Sequence, residues 1–112
     1  MTDEIGRALA YRMHAAGSAG DYDAAYEIFH PDFVSHPLGS KGIEPIRDRW
    51  RAIRARNPEL RSEIQDILVD GDKVALRAEV HGLDAPATLF EIFRVADGRI
   101  AELWGATSRP LI

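Results

Sequence analysis

The sequence contains no cysteine, which excludes disulfide bonds, thiol nucleophiles and thiolate metal sites. It also lacks any apolar run approaching the roughly 20 residues that a membrane-spanning helix needs. The first seven residues are acidic and have no apolar stretch of the kind that marks a secretory signal. We therefore expect a cytoplasmic protein without a membrane partner.

An excess of positive charge is also missing. The chain has 14 lysines and arginines against 18 aspartates and glutamates, a net charge of -4. Such a balance disfavours nucleic acid as a partner. One basic stretch runs from Arg47 to Arg61. Its arginines wind round one side of a predicted helix, so we interpret the stretch as a solvated face.

Familiar cofactor motifs are absent as well. The histidines show none of the spacings typical of a metal site; they stand at positions 14, 30, 36 and 81. No glycine-rich phosphate loop follows a strand, and no serine nucleophile motif occurs. We therefore expect neither a metal nor another cofactor.

The first half of the chain has helical periodicity, and its 112 residues predict a single domain over positions 1–112. Residues 3–16 predict one amphipathic helix, with its apolar face at Ile5, Ala8, Leu9, Arg12, Met13 and Ala16. A second helix begins at Asp21, uses Phe29 on its apolar stripe and ends before Pro31. A third runs from Gly42 to Asn57, with a stripe at Ile43, Ile46, Trp50 and Ile53.

The second half has the alternation of strands. A first extended run is predicted at residues 33–38, and after Pro58 strands are predicted at 60–69, 73–81, 87–95 and 99–108. Asp-Gly turns at Gly71 and Gly98 join two pairs of them into hairpins. Helices followed by an antiparallel meander indicate the α+β class.

Two side chains have the chemistry and the setting of catalytic groups. His36 precedes Pro37, which favours an extended backbone that would point the ring into an enclosed pocket. An imidazole ordinarily titrates near neutral pH and suits a general base, although a histidine at a strand end can equally be structural. Glu91 stands in an apolar run, so it should be protonated in a pocket, paired with Arg77 or Arg94, or exposed at an edge.

Several segments occur in an order that resembles a known family. They are Phe29-His30-Pro31-Asp32-Phe33-Val34-Ser35-His36-Pro37, Gly42-Ile43-Glu44, Asn57-Pro58-Glu59-Leu60 and Asp97-Gly98-Arg99-Ile100-Ala101-Glu102-Leu103-Trp104. Together they resemble the SnoaL-like group of the ketosteroid isomerase and nuclear transport factor 2-like superfamily. The resemblance covers nearly the whole chain.

The resemblance implies a cone-shaped α+β barrel, also called cystatin-like. Three N-terminal helices would pack on the concave side of a curved, mostly antiparallel sheet and leave a pocket at the open end. Members of the superfamily include isomerases, lyases such as dehydratases, polyketide aldol cyclases, epoxide hydrolases and proteins without catalysis. Many are homodimers. Fold alone does not choose among these functions.

The resemblance also suggests roles for individual residues. His36 takes the place of the general-base aspartate of the isomerases, and Glu91 that of the acid that donates to the dienolate oxygen. Met13 falls where the isomerases have a tyrosine, and Tyr11 and His14 are predicted to lie on other helix faces. The SnoaL-like pattern has His and Asp where this chain has Leu103 and Gly105, which disfavours a close copy of the cyclase mechanism.

These observations predict a cofactor-independent enzyme that moves a proton on a carbonyl compound, with His36 as base and Glu91 as donor. Its ligand would be small and either apolar or carbonyl-containing. Further candidates for substrate binding are Met13, Trp50, His81 and Trp104. His81 could instead face outward or toward a dimer partner, and Trp104 could belong to the core. A non-catalytic binding or accessory module is the alternative, and an epoxide hydrolase with an Asp-Arg-Asp network is a weaker one.

The last strands carry apolar residues on both faces. One face of the strand at 87–95 carries Leu89, Glu91, Phe93 and Val95, and the other carries Phe90 and Ile92. Leu103 on a neighbouring strand is expected to lie on the same face as Phe90 and Ile92. Helices can cover only one face of the sheet. We therefore expect a homodimer that buries the second face.

Overall fold

The computed structural model describes residues 2–111, without the side chain of Thr2. Its helices are α1 (Thr2–Ala19), α2 (Ala25–Ile28) and α3 (Glu44–Arg56), with a single 3-10 turn at Tyr22–Ala24. Its strands are β1 (Phe29–Ser35), β2 (Ser40–Lys41), β3 (Arg61–Asp70), β4 (Lys73–His81), β5 (Ala87–Ala96) and β6 (Arg99–Thr107). In this range, no helix combines the length and the apolar character needed to cross a membrane.

The six strands form one sheet in the order β2-β1-β6-β5-β4-β3. Neighbours are antiparallel except β1 and β6, which run parallel. The β3–β4 and β5–β6 hairpins turn at Gly71 and Gly98, whose φ angles of 61° and 73° suit glycine. With the helices packed on one face, this is the predicted α+β architecture of three helices on a curved, mostly antiparallel sheet.

Helix α1 meets the sheet through a face that contains small residues. Gly6, Leu9, Ala10 and Met13 are buried, and a Cβ added at Gly6 would lie only 2.7 Å from Cγ2 of Val74. The predicted apolar face is therefore partly wrong: three of its members, Ile5, Ala8 and Arg12, are exposed. The helix turns its small residues inward because this allows its backbone to approach the sheet closely.

The second helix is shorter than predicted. It ends at Ile28, and Phe29 pairs with Ile100 as the first residue of β1. The Phe29 ring is fully buried, with its centroid 4.4 Å from that of Phe33 and 5.6 Å from that of Trp50. Pairing and burial in the core outweigh continuation of a short helix.

The two faces of the sheet differ as predicted, with one correction. Phe90 and Ile92 on β5 are 55% and 47% exposed on the convex face. Leu103, expected beside them, is only 5% exposed and lies on the concave face opposite Phe93. A register irregularity between Arg94 and Val95 interrupts the simple alternation along the β5–β6 pair.

Candidate functional site

A cavity of about 320 Å³ lies between α1, α3 and the concave face of the sheet. Most of its wall is apolar and includes Met13, Phe29, Trp50, Ile53, Leu89 and Leu103. Helix α3 contributes Ile46, Trp50 and Ile53 of its predicted stripe. Pro45 is tolerated in its first turn because no intrahelical N–H is required there. This partly open cavity is therefore suited to a small, largely apolar ligand.

A hydrogen-bonded trio forms the polar part of the cavity. His14 Nε2 lies 2.7 Å from Glu91 Oε1, and His14 Nδ1 lies 2.7 Å from the hydroxyl oxygen of Ser62. The His14 and Glu91 side chains are only 8% and 12% exposed, and all three residues line the cavity. Hydrogen bonds at this depth are strengthened by the low local dielectric.

Three different elements position the trio. His14 follows Met13 on α1, Ser62 is near the start of β3, and Glu91 points inward on β5 because it alternates with Phe90 and Ile92. Gly105 is the β6 residue opposite Glu91. A Cβ there would meet Glu91 Cγ at 3.5 Å, so the glycine leaves space beside the carboxylate.

The bonding pattern restricts where protons can lie. An ionised Glu91 can only accept hydrogen bonds, so His14 Nε2 then donates to it. Neutral His14 would accept the Ser62 hydroxyl proton at Nδ1. The second carboxylate oxygen of Glu91, Oε2, makes no hydrogen bond to the residues described (2–111), and it is the oxygen left for a ligand.

Glu91, Met13 and Trp50, three of the candidate site residues, line the cavity, but His36 does not. Its ring is 43% exposed, stacks on Trp104 at 4.8 Å and places Nε2 2.7 Å from Glu102 Oε2. The predicted contact of His36 with the cavity is therefore wrong. Strand alternation explains this, since the preceding Ser35 turns inward and is 1% exposed.

Two other predicted ligand contacts also fall outside the cavity. Trp104 pairs with Ile92 in the register of β5 and β6, and thus lies on the convex face with His36. His81 also faces outward, with Nε2 2.9 Å from Glu63 Oε1. For His81, the outward alternative is the one that the structure shows. Neither side chain lines the cavity.

The convex face carries its own polar cluster. Glu102 accepts hydrogen bonds from His36 at 2.7 Å and from Arg94 at 3.1 Å. These two interactions, that with His36 first, lower the pKa of Glu102 below its ordinary value. Across residues 2–111, no group of three or more histidine and carboxylate side chains is arranged to hold a metal ion.

His14 was not predicted as a site residue because the predicted inward face of α1 included Ile5 and Arg12, which are exposed, and placed His14 on another face. A usable signal was present: Gly6, Ala10 and Gly17 mark a stripe of small residues in which His14 is the polar member. A histidine among residues that approach a sheet closely must find partners there. Its partners could not be identified from helical periodicity.

Comparisons with known proteins agree with this architecture. Residues 10–103 match the model of the SnoaL-like domain family. No curated protein matches the sequence. Among solved structures, a proposed polyketide cyclase from Sinorhizobium meliloti is 34% identical, with a TM-score of 0.77 over 88% of this chain and 93% of that one.

Two further solved structures are similar. A proposed polyketide cyclase from Bacillus cereus ATCC 10987 is 28% identical, with a TM-score of 0.82 over 89% of this chain and 72% of that one. IdmH, a proposed polyketide cyclase from Streptomyces antibioticus, is 25% identical, with a TM-score of 0.80 over 91% of each chain.

Proposed function

Because this chain belongs to the SnoaL-like family, we propose that it is an enzyme that transfers a proton within a small carbonyl compound, as an isomerase or a polyketide-type cyclase does. One observation carries the proposal. Glu91 lines the apolar cavity, one of its carboxylate oxygens is held by buried His14, and the other makes no hydrogen bond within residues 2–111. The similar structures named as proposed polyketide cyclases support the same class of reaction.

Glu91 replaces His36 as the proposed base, because it lines the cavity and His36 does not. Its Oε2 atom takes a proton from the carbon next to the substrate carbonyl, and the C–H electron pair moves into the enolate. Return of that proton to another carbon completes an isomerisation. In a cyclisation, the enolate carbon instead attacks a second carbonyl, and the new alkoxide takes the proton from Glu91. Neither route consumes an oxidant, a reductant or a cofactor.

His14 acts in this scheme as a positioning residue. Its Nε2–H holds the carboxylate in place, and its bond to Ser62 fixes the orientation of the ring. When Glu91 takes up the proton, the hydrogen bond with His14 persists. A correctly positioned acid–base group contributes about 10²- to 10⁴-fold to a proton-transfer rate.

Exchange of α-protons with solvent tests the base without knowledge of the natural substrate. We expect the protein to accelerate deuterium exchange into 2-tetralone, a small ring ketone, when followed by proton NMR in D₂O. Glu91→Gln preserves the shape but cannot take a proton, so it should lower the catalysed rate by about 100-fold or more. His36→Gln, outside the cavity, is the control and should remain within about threefold of the unchanged protein.

A Glu91→Gln variant that keeps the full exchange rate would refute the role of Glu91. Loss of activity in His36→Gln alone would restore His36 as the base. Equally low rates for all three proteins over a series of ring ketones would favour the second candidate function.

That second candidate is a binding module with the same cavity and no chemistry. It is favoured by one observation, namely that both ring nitrogens of His14 already have protein partners, as in a purely structural buried histidine. The epoxide hydrolase alternative has less support, since no aspartate from residues 2–111 lines the cavity.

A further inference from the structure

One cationic side chain of α3 lines the cavity. Arg49 lies three residues after Ile46 and four before Ile53, and all three contribute to the wall. Its side chain is half-buried, and Arg49 is the arginine among the residues that line the cavity. The lining also contains one carboxylate side chain, Glu91, which belongs to β5 rather than to α3.

Within residues 2–111, Arg49 differs from three other arginines of α3, Arg47, Arg51 and Arg54, in having no hydrogen bond or ion pair, a condition that the exposed Arg56 shares. Arg47 donates to Asp23 at 2.9 Å, and Arg54 donates to the carbonyl oxygens of Ser18 and Leu60. Arg51 lies 4.0 Å from Asp48 and over the ring of Tyr22. No hydrogen bond or ion pair joins Arg49 to any residue of the range 2–111.

The remaining polar groups of the wall are mostly committed. Ser18 accepts a hydrogen bond from the Ser62 backbone N–H at 3.0 Å, and Ser35 accepts one from the Leu38 N–H at 3.3 Å. His14 is bound on both sides. Arg49 thus provides the cavity with a group of hydrogen-bond donors that the fold itself does not use.

A guanidinium group beside an apolar wall loses hydration and regains that free energy when it pairs with an anion. Its planar fork matches a carboxylate, with two parallel N–H···O bonds. We propose that Arg49 binds a carboxylate of the substrate, and that the substrate is an amphipathic acid with an apolar ring body. This deepens the proposed function and rests on it in one respect, that the substrate occupies this cavity.

The two charges of the wall would also orient such a ligand. Ionised Glu91 repels a carboxylate, whereas Arg49 attracts it, and the two residues belong to different walls. The carboxylate therefore lies at Arg49 and the ring body extends into the apolar interior. The reacting carbonyl end of the molecule is then directed toward Glu91. Arg49 is a specificity residue in this scheme.

A matched pair of probes tests the proposal by isothermal titration calorimetry at pH 7.5 and low salt. 2-Naphthoate carries the carboxylate, and 2-naphthamide has nearly the same shape without the charge. We expect naphthoate to bind at least about tenfold more tightly, since a hydrogen bond to a charged group contributes about 1.5–3 kcal/mol. Arg49→Gln should remove this preference and leave naphthamide binding unchanged. Arg49→Lys should restore part of it, because the charge returns without the fork.

Arg56→Gln is the matched control, because Arg56 is an exposed arginine of the same helix that does not line the cavity. It should bind both probes as the unchanged protein does. Equal affinity for the two probes, a preference that survives Arg49→Gln, or no binding of either probe at millimolar concentration would each overturn the proposal.

The outcome is separable from that of the proton-exchange experiment. Glu91→Gln removes the base but should retain the preference for naphthoate. Absent exchange together with an Arg49-dependent preference would refute the proposed reaction and leave the carboxylate site intact. Normal exchange without the preference would refute the carboxylate site alone.

Discussion

At the scale of the residue, the partners of a side chain determine what it can do. His14 and His36 are both bound to a glutamate at 2.7 Å, yet the first pair is buried in the cavity and the second is open to solvent. The buried pair lines the cavity, where the proposed function places the ligand. The exposed pair, with Arg94, instead forms a surface network around Glu102.

The network around Glu102 predicts a pH dependence of stability. Its hydrogen bonds lower the pKa of Glu102 in the folded protein relative to the ordinary value of 4.5. The folded state therefore gains stability from this group above that value and loses it as the pH falls through the lower, folded pKa. We expect Glu102→Gln to be less stable than the unchanged protein at pH 7, and this gap to narrow below about pH 4.5.

Urea denaturation at intervals between pH 7 and pH 3 measures the gap. Glu59→Gln is the control, because Glu59 is exposed and has no ion pair among the residues described. A gap for Glu102→Gln that stays constant over the whole range would contradict the prediction.

At the scale of the element, the approach of α1 to the sheet depends on Gly6. Periodicity of the apolar residues predicted the helix and three of its buried residues, Leu9, Met13 and Ala16. It did not give the rotation of the helix, because close packing also turns small residues toward the sheet. Ile5 is 43% exposed, whereas Gly6 is buried against Val74. The same rotation brings His14 into the cavity.

Two glycine substitutions on α1 test this packing. Gly6→Ala adds a methyl group 2.7 Å from the rigid, fully buried Val74 side chain. Overpacking costs about 1–3 kcal/mol and the gain in helix propensity offsets about 1, so the variant should be less stable by about 1 kcal/mol.

Gly17→Ala is the matched change, since nothing lies within 4 Å of the added methyl group. It should be more stable by about 0.5–1 kcal/mol because alanine favours the helix. Chemical denaturation measures both. An equal gain in the two variants would show that α1 can move away from the sheet without cost.

At the scale of the whole molecule, the convex face has a row of partly exposed apolar residues, which we call the convex patch. Strand register aligns its members Leu68, Ala75, Ile92 and Trp104, with Phe90 in the adjacent row. Leu68 is 73% exposed. Arg77, which the sequence offered as a partner for Glu91, pairs instead with Asp66 at 2.7 Å.

The homodimer stays a prediction, and the convex patch is the surface through which we expect it to form. Pairing two copies about a two-fold axis would bury the patch reciprocally. Phe90→Glu places a charge in the row beside it and should convert the dimer to a monomer, as measured by sedimentation equilibrium at micromolar concentration.

Tyr11→Glu is the control for this change, because Tyr11 is a 52% exposed aromatic residue on α1 rather than on the sheet. It should leave the mass unchanged. A single-chain mass for the unchanged protein, or a Phe90→Glu variant that remains dimeric, would exclude an interface at the convex patch.

The sequence by itself determined the class of fold and the face of β5 on which Glu91 lies. Alternation along a strand is a local property, so the sequence was enough to place Glu91 with Leu89 and Phe93 on the face opposite Phe90 and Ile92, although it left open whether Glu91 lines a pocket. The stripe of α3 and both hairpin turns follow from equally local rules. They did not require knowledge of which elements meet.

Only the tertiary structure decided which histidine forms a hydrogen bond with Glu91. His14 is separated from Ser62 by 48 positions and from Glu91 by 77, and no periodic pattern encodes contacts at such separations. The rotation of α1 was determined by close packing at Gly6, and the outward turn of His36 by the burial of Ser35. Both depend on how helix and sheet fit together, which is a property of the assembled core.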